Sequence, residues 1–306
     1  MCTFLPEQTH VSRVHLRSRD LNRALEFYTG TLGLAATLQP NREVGLAATK
    51  TSSELIHISE DPDTVPRPRG STGLFHVALR YPLRRDLGQA VNRLLKQGHP
   101  LEGASDHGVS EAVYLRDPDG NGIELYADRP RKEWPMEHGN LAMTTEPLAL
   151  DELLEEANGT TTASGGGPDI GHVHLNVGDL SAAERFFSEF LGLGVTQRTY
   201  PGALFLSAGG YHHHIGVNVW GGHDPSPPHA VGLVSYRFSV PVAEILYCLS
   251  HRAPLLGYET RLSANPKAVL QVRDPNGCWL EIESAEEEPE TGCWSGASKG
   301  QEVRSA

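Results

Sequence analysis

Histidines and a glutamate in the second half of the chain are residue types that bind transition metals. His172 lies on a short alternating stretch, His214 ends a run of histidines, and Glu281 follows an Asp-Pro-Asn-Gly turn. Two imidazoles and one carboxylate form the facial ligand set of non-haem Fe(II) sites, which leaves positions open for substrate and oxygen. The same donors suit Mn(II), Zn(II) or Ni(II). We therefore predict that His172, His214 and Glu281 hold one divalent ion.

The period of a β-strand decides which of these histidines share a face. His172 and His174 are two residues apart, as are His212 and His214, so each pair is expected on one side of its strand. A single strand histidine is more often a hydrogen-bonded core residue, but adjacent histidines after the Gly209-Gly210 turn direct at least one imidazole inward. With His214 as a ligand, His212 on the same face is expected either to support a ligand by a hydrogen bond or to act as an acid–base group.

The elements that must position these residues occur twice, because the chain contains two copies of one unit. Asp20-Leu21 matches Asp179-Leu180 at an offset of 159 residues (179 − 20). The turn at Asp117 matches the turn at Asp274 at an offset of 157 residues (274 − 117), and one glutamate follows each turn at the same spacing. A matching order at a nearly constant offset indicates an internal repeat.

Each copy has the pattern of two βαβββ modules. In the first copy, the alternation of residues 11–17 predicts a strand, Asp20 caps a helix that ends near Gly33, and three strand-like runs follow. The pattern restarts at Phe75 with a second amphipathic helix. A three-strand meander with one helix cannot close its own sheet. The sequence therefore predicts an α+β fold of four βαβββ modules paired into two half-open eight-stranded cups.

We expect consecutive modules to pair. Residues 10–128 would form an N-terminal cup and residues 169–284 a C-terminal cup. Residues 129–168 would form a linker with a short acidic helix and a flexible Gly/Ser/Thr stretch, and residues 285–306 a disordered tail. The Asp-Pro-x-Gly turns would be hairpins that deliver Glu124 and Glu281 into the two cups.

The first copy differs from the second at the predicted ligand positions. Arg13 matches His172 at the 159-residue offset, and an arginine repels a divalent cation. Glu124 is therefore open to a structural interpretation, as a buried acid paired with Arg13. Whether the cup of the first copy is also active is left open. That copy has candidate site residues of its own, which are His57, His76, Tyr114 and Glu124.

Composition limits the classes of partner. The 306 residues carry a net charge of −12, which argues against nucleic acid or an anionic membrane. No apolar stretch approaches the roughly 20 residues of a membrane span, and no signal-peptide pattern is present. The four cysteines have neither disulfide nor metal-site spacing, which favours a reducing compartment. We expect a cytoplasmic protein.

Three segments carry a resemblance to a known family: Ser105–Leu115, Asp117–Pro130 and Ala208–Gly216. They resemble the vicinal oxygen chelate superfamily, which includes glyoxalase I, extradiol dioxygenases and bleomycin resistance proteins, and most closely its two-cup catechol-2,3-dioxygenase-like group. The resemblance implies metal ligands on the first, fourth, fifth and eighth strands of a cup. In the second copy these positions match His172, His214, Ser235 and Glu281.

The extradiol enzymes in this group take their second histidine from the fifth strand and carry a tyrosine ten residues before the glutamate. The second copy has Ser235 and Gln271 at those positions, whereas the first copy has His76 and Tyr114.

The resemblance implies an Fe(II)-dependent extradiol dioxygenase that acts on a catechol-like small aromatic diol and O₂. Two alternatives stay open. One is a glyoxalase-type metal-dependent isomerase or lyase, and the other is a metal-free small-molecule binding or resistance protein. Dimers are common in the superfamily, so a homo-oligomer is compatible with the resemblance.

Overall fold

Both copies of the repeat fold into βαβββ modules in the computed structural model, which describes residues 4–158, 166–263 and 267–286. The strands of the first copy are β1 (His10–Ser18), β2 (Ala35–Gln39), β3 (Glu43–Ala47), β4 (Glu54–Glu60), β5 (Gly73–Tyr81), β6 (Gly103–Asp106), β7 (Ser110–Arg116) and β8 (Gly122–Asp128). Between the copies lie three short strands, β9 (Met136–Glu137), β10 (Asn140–Leu141) and β11 (Glu146–Pro147). The strands of the second copy are β12 (Asp169–Asn176), β13 (Gly194–Gln197), β14 (Ala203–Ser207), β15 (Ile215–Asn218), β16 (Gly232–Val240), β17 (Thr260–Ser263), β18 (Val269–Arg273) and β19 (Trp279–Ser284).

The helices also repeat between the copies. They are α1 (Leu21–Leu25), α2 (Arg84–Lys96), α3 (Leu150–Asn158), α4 (Leu180–Glu184) and α5 (Glu244–Leu255), with a single 3₁₀ turn at Arg131–Glu133. Helices α1 and α4 each continue into a π-helical turn, Glu26–Thr31 and Arg185–Phe190. The predicted cap is confirmed, since the Asp20 carboxylate accepts hydrogen bonds from the second and third backbone N–H groups that follow it.

The modules pair between the two copies and not within each copy. One sheet has the strand order β17-β18-β19-β16-β1-β4-β3-β2, and the other has the order β11-β6-β7-β8-β5-β12-β15-β14-β13. We name the first sheet the terminal cup and the second the central cup. The first module therefore pairs with the fourth, and the second with the third.

The predicted fold class of four modules in two cups is confirmed, but the predicted pairing is wrong. Residues 10–128 and residues 169–284 do not each close a cup, because β1 pairs with β16 and β5 pairs with β12. The physical reason is that all four modules present the same kind of unpaired first strand. The pattern shows that each module needs a partner, but it does not show which one.

The two Asp-Pro-x-Gly hairpins are anchored in the same way. The Asp117 carboxylate accepts hydrogen bonds from the N–H groups of Asp119 and Asn121 and from the hydroxyl of buried Tyr28. Gly120 has a φ of 85°, which glycine adopts without strain. The Asp274 turn repeats this arrangement with the Tyr236 hydroxyl. Each turn thereby fixes the register of the strand that carries its glutamate.

The acidic helix of the connector between the copies packs against the fold. This helix is α3, whose Leu153 and Ala157 are buried against Gly88 of α2, where a side chain would meet the Leu153 carbonyl oxygen at 2.6 Å. Residues 159–165, within the predicted flexible stretch, and residues 287–306 of the predicted tail lie outside the described residues. Among the described helices, none has the length and apolarity needed to cross a membrane.

Candidate metal centre and ligand cavity

Three adjacent strands of the central cup bring a metal-ligand set together. His172 of β12 is paired in register with Ala78 of β5, and Ala78 is paired with Glu124 of β8. His76 precedes Ala78 by two residues, so it faces the same side of the sheet.

The donor atoms of these three residues converge. His76 Nε2 lies 2.9 Å from Glu124 Oε2, His172 Nε2 lies 3.2 Å from the same oxygen, and the two Nε2 atoms are 3.2 Å apart. All three side chains are buried. In residues 4–158, 166–263 and 267–286, this is the one such group of three or more candidate ligands.

The spacing of the donor atoms fits a divalent ion. Ligand atoms that bind one ion at about 2.1 Å and at right angles lie about 3.0 Å from each other. The three contacts cannot all be hydrogen bonds at once. If both Nε2–H groups donate to Glu124 Oε2, neither histidine can accept from the other, whereas three lone pairs can share a cation. His172 Nδ1 is buried without a hydrogen-bond partner among the described residues.

Electrostatics hold two of the three residues, His172 and Glu124, in the protonation states that a metal requires. Burial lowers the pKa of His172 to about 4, so its imidazole is neutral at physiological pH. Burial opposes ionisation of Glu124, but the facing imidazoles of His172 and His76 hold its pKa well below the usual range. Metal ligands must be deprotonated to bind, and a neutral His172 imidazole with an ionised Glu124 carboxylate meets that condition.

The cluster draws on both copies of the repeat. His172 comes from the second copy, while His76 and Glu124 come from the first. Tyr114 pairs directly with Glu124 across β7 and β8, so it lies in the same cup. The first-strand histidine, the fifth-strand histidine, the glutamate and the tyrosine are therefore in one cup, although the sequence divides them between the copies.

Glu281 lies in the terminal cup and does not join His172. Its Oε2 atom is 2.6 Å from Arg237 and 3.2 Å from Arg13, and its Oε1 atom accepts a hydrogen bond from Gln271. Burial opposes its ionisation, but the two arginines lower its pKa. The terminal cup thus has an ion-pair network at the matching place, and the predicted use of Glu281 as a ligand is wrong.

His57 is also in the terminal cup, where its ring nitrogens lie 3.3 and 3.4 Å from carboxylate oxygens of Glu54 and Glu43. It is therefore separated from His76 and Glu124, with which the sequence groups it. Arg13 is paired with Glu54 as well as with Glu281. The predicted pairing of Arg13 with Glu124 is not formed.

His214 does not join the ligand set either. The parity argument requires residues 212–214 to be in a strand, but β15 begins at Ile215 and the histidines lie in the preceding turn. His214 Nδ1 accepts a hydrogen bond from the Ala208 N–H, and burial lowers its pKa to about 3. It lines a surface depression together with Arg80 and Tyr211, outside the central cavity.

His213, which the sequence analysis left unassigned, takes the position beside the cluster. Its ring centroid is 4.0 Å from that of His172, and it lines the central cavity. His212 is fully buried behind it, with Nδ1 2.8 Å from His213 Nδ1 and Nε2 2.9 Å from Asp128 Oδ1. The only sequence signal for His213 was its membership of the histidine run.

The hydrogen bonds of this row define its tautomers. His212 Nε2–H donates to the Asp128 carboxylate, whose pKa stays below its ordinary value because His212 and Arg80 outweigh its burial. His212 Nδ1 then accepts from His213 Nδ1–H. His213 Nε2 is consequently unprotonated and available as a base.

The cluster lines a cavity of about 270 Å³ in the central cup. His174, which shares a face with His172 as predicted, also lines it and accepts a hydrogen bond from Asn218. Large apolar side chains form much of the remaining wall: Phe75, Val109, Met143, Phe205 and Trp220. A small, mostly apolar cavity with a few polar groups is typical of small-molecule sites.

Tyr114 adds a directed hydroxyl to this cavity. His107 Nδ1 lies 2.7 Å from the Thr144 carbonyl oxygen and so carries the proton, and its Nε2 accepts from the Tyr114 hydroxyl at 2.7 Å. Burial, together with the nearby Glu124 carboxylate, raises the pKa of Tyr114 well above its usual value. Tyr114 is therefore a neutral hydroxyl with a fixed orientation.

Two cups of paired βαβββ modules, one of them with two histidines and a glutamate converging in a cavity, define the class of protein. The chain belongs to the Glyoxalase/Bleomycin resistance protein/Dioxygenase superfamily, whose family model matches residues 9–125 and 169–282. The resemblance predicted from the sequence is thereby confirmed.

Several relatives are dioxygenases by name. Catechol-2,3-dioxygenase of Bacillus subtilis (strain 168) is 41% identical over 280 residues, which cover 89% of this chain and 96% of that protein. Biphenyl-2,3-diol 1,2-dioxygenase 3 of Rhodococcus globerulus is 33% identical over 98 residues, 29% of this chain and 52% of that one. The structure of glyoxalase I from Zea mays shares the fold, with a TM-score of 0.58 at 14% identity over 90% of this chain and 92% of the other.

Proposed function

We propose that this protein is a metal-dependent extradiol dioxygenase that cleaves the ring of a catechol-like small aromatic diol with O₂. The observation that carries the proposal is the convergence of His76 Nε2, His172 Nε2 and Glu124 Oε2, all within 3.2 Å of one another in an aromatic-lined cavity. The similarity to named diol dioxygenases supports the same reaction.

His76, His172 and Glu124 would hold the ion. We propose Fe(II), and Mn(II), Zn(II) and Ni(II) are the alternatives that the same donors accept. When bound, the ion supplies a common binding point for the diol and oxygen and polarises both.

The protein's own residues account for binding and proton transfer. Phe75, Phe205 and Trp220 offer apolar and aromatic surface for the ring of the diol. His213 Nε2 accepts a proton from a diol hydroxyl, and the Asp128–His212 pair maintains the tautomer in which that nitrogen is free. Tyr114 presents its hydroxyl from the side of Glu124 and is held there by His107.

Oxygen uptake tests the reaction. Metal-free protein is reconstituted separately with Fe(II), Mn(II), Zn(II) or Ni(II), and each form is given catechol or resorcinol, whose hydroxyls are not vicinal. We expect one O₂ consumed per catechol with both oxygen atoms in the ring-opened product, and no uptake with resorcinol. Uptake in the zinc form alone, or release of peroxide in place of ring opening, would contradict the proposal.

The two alternatives predict different outcomes in the same experiment. A glyoxalase-type isomerase or lyase needs the metal but consumes no oxygen, and a binding or resistance protein retains no stoichiometric metal. Cytoplasmic location and self-association stay predictions, which fractionation and light scattering would test.

A further inference from the structure

A second cavity, which we name the arginine chamber, adjoins the central cavity. It has a volume of about 860 Å³ and is lined by five arginines: Arg19, Arg23, Arg67, Arg69 and Arg116. Phe75, Arg116 and Trp220 line both cavities, so these three residues form the partition between them. The ring centroids of Phe75 and Trp220 are 5.6 Å apart, and Trp220 is 46% exposed.

The arginine chamber carries an excess of positive charge, since five arginines and two aspartates line it. Arg116 forms an ion pair with Glu102. The other four arginines form none with the residues that the structure describes. Among the described residues, neither of the two aspartates forms an ion pair with one of these arginines. Asp20 caps α1, and Asp119 accepts hydrogen bonds from the Ser18 hydroxyl and the Arg19 N–H. Burial and the neighbouring Arg116 lower the pKa of Arg67, as expected for a cation without a paired carboxylate.

The repeat provides an internal comparison that separates these arginines from the requirements of the fold. The register of β1 with β4 and of β12 with β15 keeps the 159-residue offset through this region. At that offset, the counterparts of the four arginines without ion pairs are small or apolar residues: Gly178, Ala182, Ser226 and Pro228. The module therefore folds without arginines at these positions. In the first copy, the four arginines line the chamber beside the central cavity.

We propose that the arginine chamber binds an anionic group on the substrate, so that the preferred substrate is an aromatic diol whose substituent ends in a carboxylate or a similar organic anion. This inference rests on the proposed function. The diol ring lies in the central cavity, and the substituent enters the chamber where Phe75, Arg116 and Trp220 line both cavities. Guanidinium groups match the planar geometry of a carboxylate, and a chain with a net charge of −12 otherwise repels anions.

A pair of substrates that differ only in charge tests the inference. These are 3-(3,4-dihydroxyphenyl)propionate and its methyl ester, compared by the ratio of their kcat/KM values. The test variant combines Arg19→Gln, Arg23→Gln and Arg69→Gln, which leaves the half-buried Arg67 and its hydrogen bond to Leu74 in place. The control is Arg185→Gln, an exposed arginine of the second copy.

We expect the wild type to prefer the acid. One exposed charge contributes about 2- to 5-fold, so the acid-to-ester ratio should fall about tenfold or more in the triple variant. The ratio should be unchanged in Arg185→Gln, and the thermal midpoints of both variants should match the wild type. An acid-to-ester ratio near one in the wild type, or a ratio that the triple variant leaves intact, would overturn the inference while ring cleavage of the ester upholds the proposed function.

Calorimetry on the metal-free protein makes the test independent of catalysis. If neither compound is cleaved, the proposed function fails, but weaker binding of the acid to the triple variant than to the wild type still supports the chamber. Inorganic phosphate is the second probe, since a free anion has the same chemistry. Phosphate that competes with the acid supports a shared site, and phosphate that binds without competing assigns the chamber to a free anion and overturns the inference.

Discussion

Glu124 of the first copy and His172 of the second lie 3.2 Å apart, oxygen to nitrogen, on either side of Ala78 in the register of the central cup. Neither copy alone contains both residues. The candidate site is thus a product of the exchange of modules between the copies, because each copy supplies residues that the other lacks.

The first prediction separates the proposed ligand set, His76, Glu124 and His172, from the one that the sequence favoured. His76→Ala and His172→Ala should each remove most of the bound metal and lower activity by more than the 10- to 100-fold typical of residues that only support a ligand, about 10³-fold or more. His214→Ala should keep the metal, because His214 contacts the Ala208 backbone. Metal content by mass spectrometry and initial rates on catechol check both.

The controls for this prediction are internal to the chain. Glu281→Gln tests whether the terminal cup holds the metal, since its carboxylate faces Arg13 and Arg237. We expect full metal content in that variant. Metal lost from His214→Ala or Glu281→Gln but kept by His172→Ala would refute the assignment of the central cup.

The second prediction concerns the row from Asp128 to His213. His213→Ala should lower kcat by about 10²- to 10⁴-fold, the range for loss of a general base, with the metal retained. Asp128→Asn should have a smaller effect of the same kind, because an amide can reverse the tautomer of His212 and leave His213 Nε2 protonated.

A measurement that a merely structural role would not affect is the dependence of kcat on pH. Loss of the base should remove the acidic limb of the profile in His213→Ala, and His213→Gln should not restore it. His223→Ala changes an exposed histidine whose Nδ1 lies 2.8 Å from the Gly178 backbone oxygen, and it provides the matched control. An unaltered profile in His213→Ala would exclude His213 as the base.

The sequence predicted the modules well and the site in part. Local signals were sufficient for the caps at Asp20 and Asp179 and for the hairpin at Asp117, since each depends on residues within a few positions. The pairing of β5 with β12 depends on non-local packing that the repeat makes ambiguous. That ambiguity led to the choice of Glu281 over Glu124.

The histidine run was misinterpreted for a different reason. Alternation holds only within a strand, and β15 begins one residue after His214. In the segment between the Gly209-Gly210 turn and β15, the alternation of faces is not kept. His213 therefore lines the cavity while His212 is buried behind it. Tyr114 and His76 were visible in the sequence as family-like residues, and only the exchange of modules places them with His172.

The third prediction concerns stability. The pKa of Glu281 is below its unfolded value of 4.5, since the arginines outweigh the effect of burial. Its contribution is therefore present above about pH 4.5 and is lost as the pH falls through the folded pKa. Glu281→Gln should reduce the free energy of unfolding by about 1–3 kcal/mol at pH 7, because Arg13 and Arg237 lose their shared acceptor.

The same variant should differ less from the wild type in acid, where the wild-type glutamate is itself protonated. Urea titrations at pH 7 and at pH 3 check the difference. Glu184→Gln removes the partner of the exposed Arg198 and should cost less than about 1 kcal/mol at either pH. An equal loss of stability from Glu281→Gln at both pH values would contradict the ion-pair explanation.

The fourth prediction follows from the exchange of modules. A fragment that ends at residue 158 contains β1 and β5 without their partners β16 and β12, so two long strand edges and the apolar faces behind them are exposed. Neither this fragment nor one that begins at residue 166 should give a folded, metal-binding monomer. Expressed together, they should assemble into a complex of the size of the whole chain that binds one metal ion, because His172 then meets His76 and Glu124.

Size-exclusion chromatography with metal analysis checks this, and the full-length chain with His172→Ala gives the metal-free reference of the same size. A monomeric fragment that ends at residue 158 and binds the metal by itself would show that each copy can close its own cup, which is the arrangement that the register of β5 with β12 opposes.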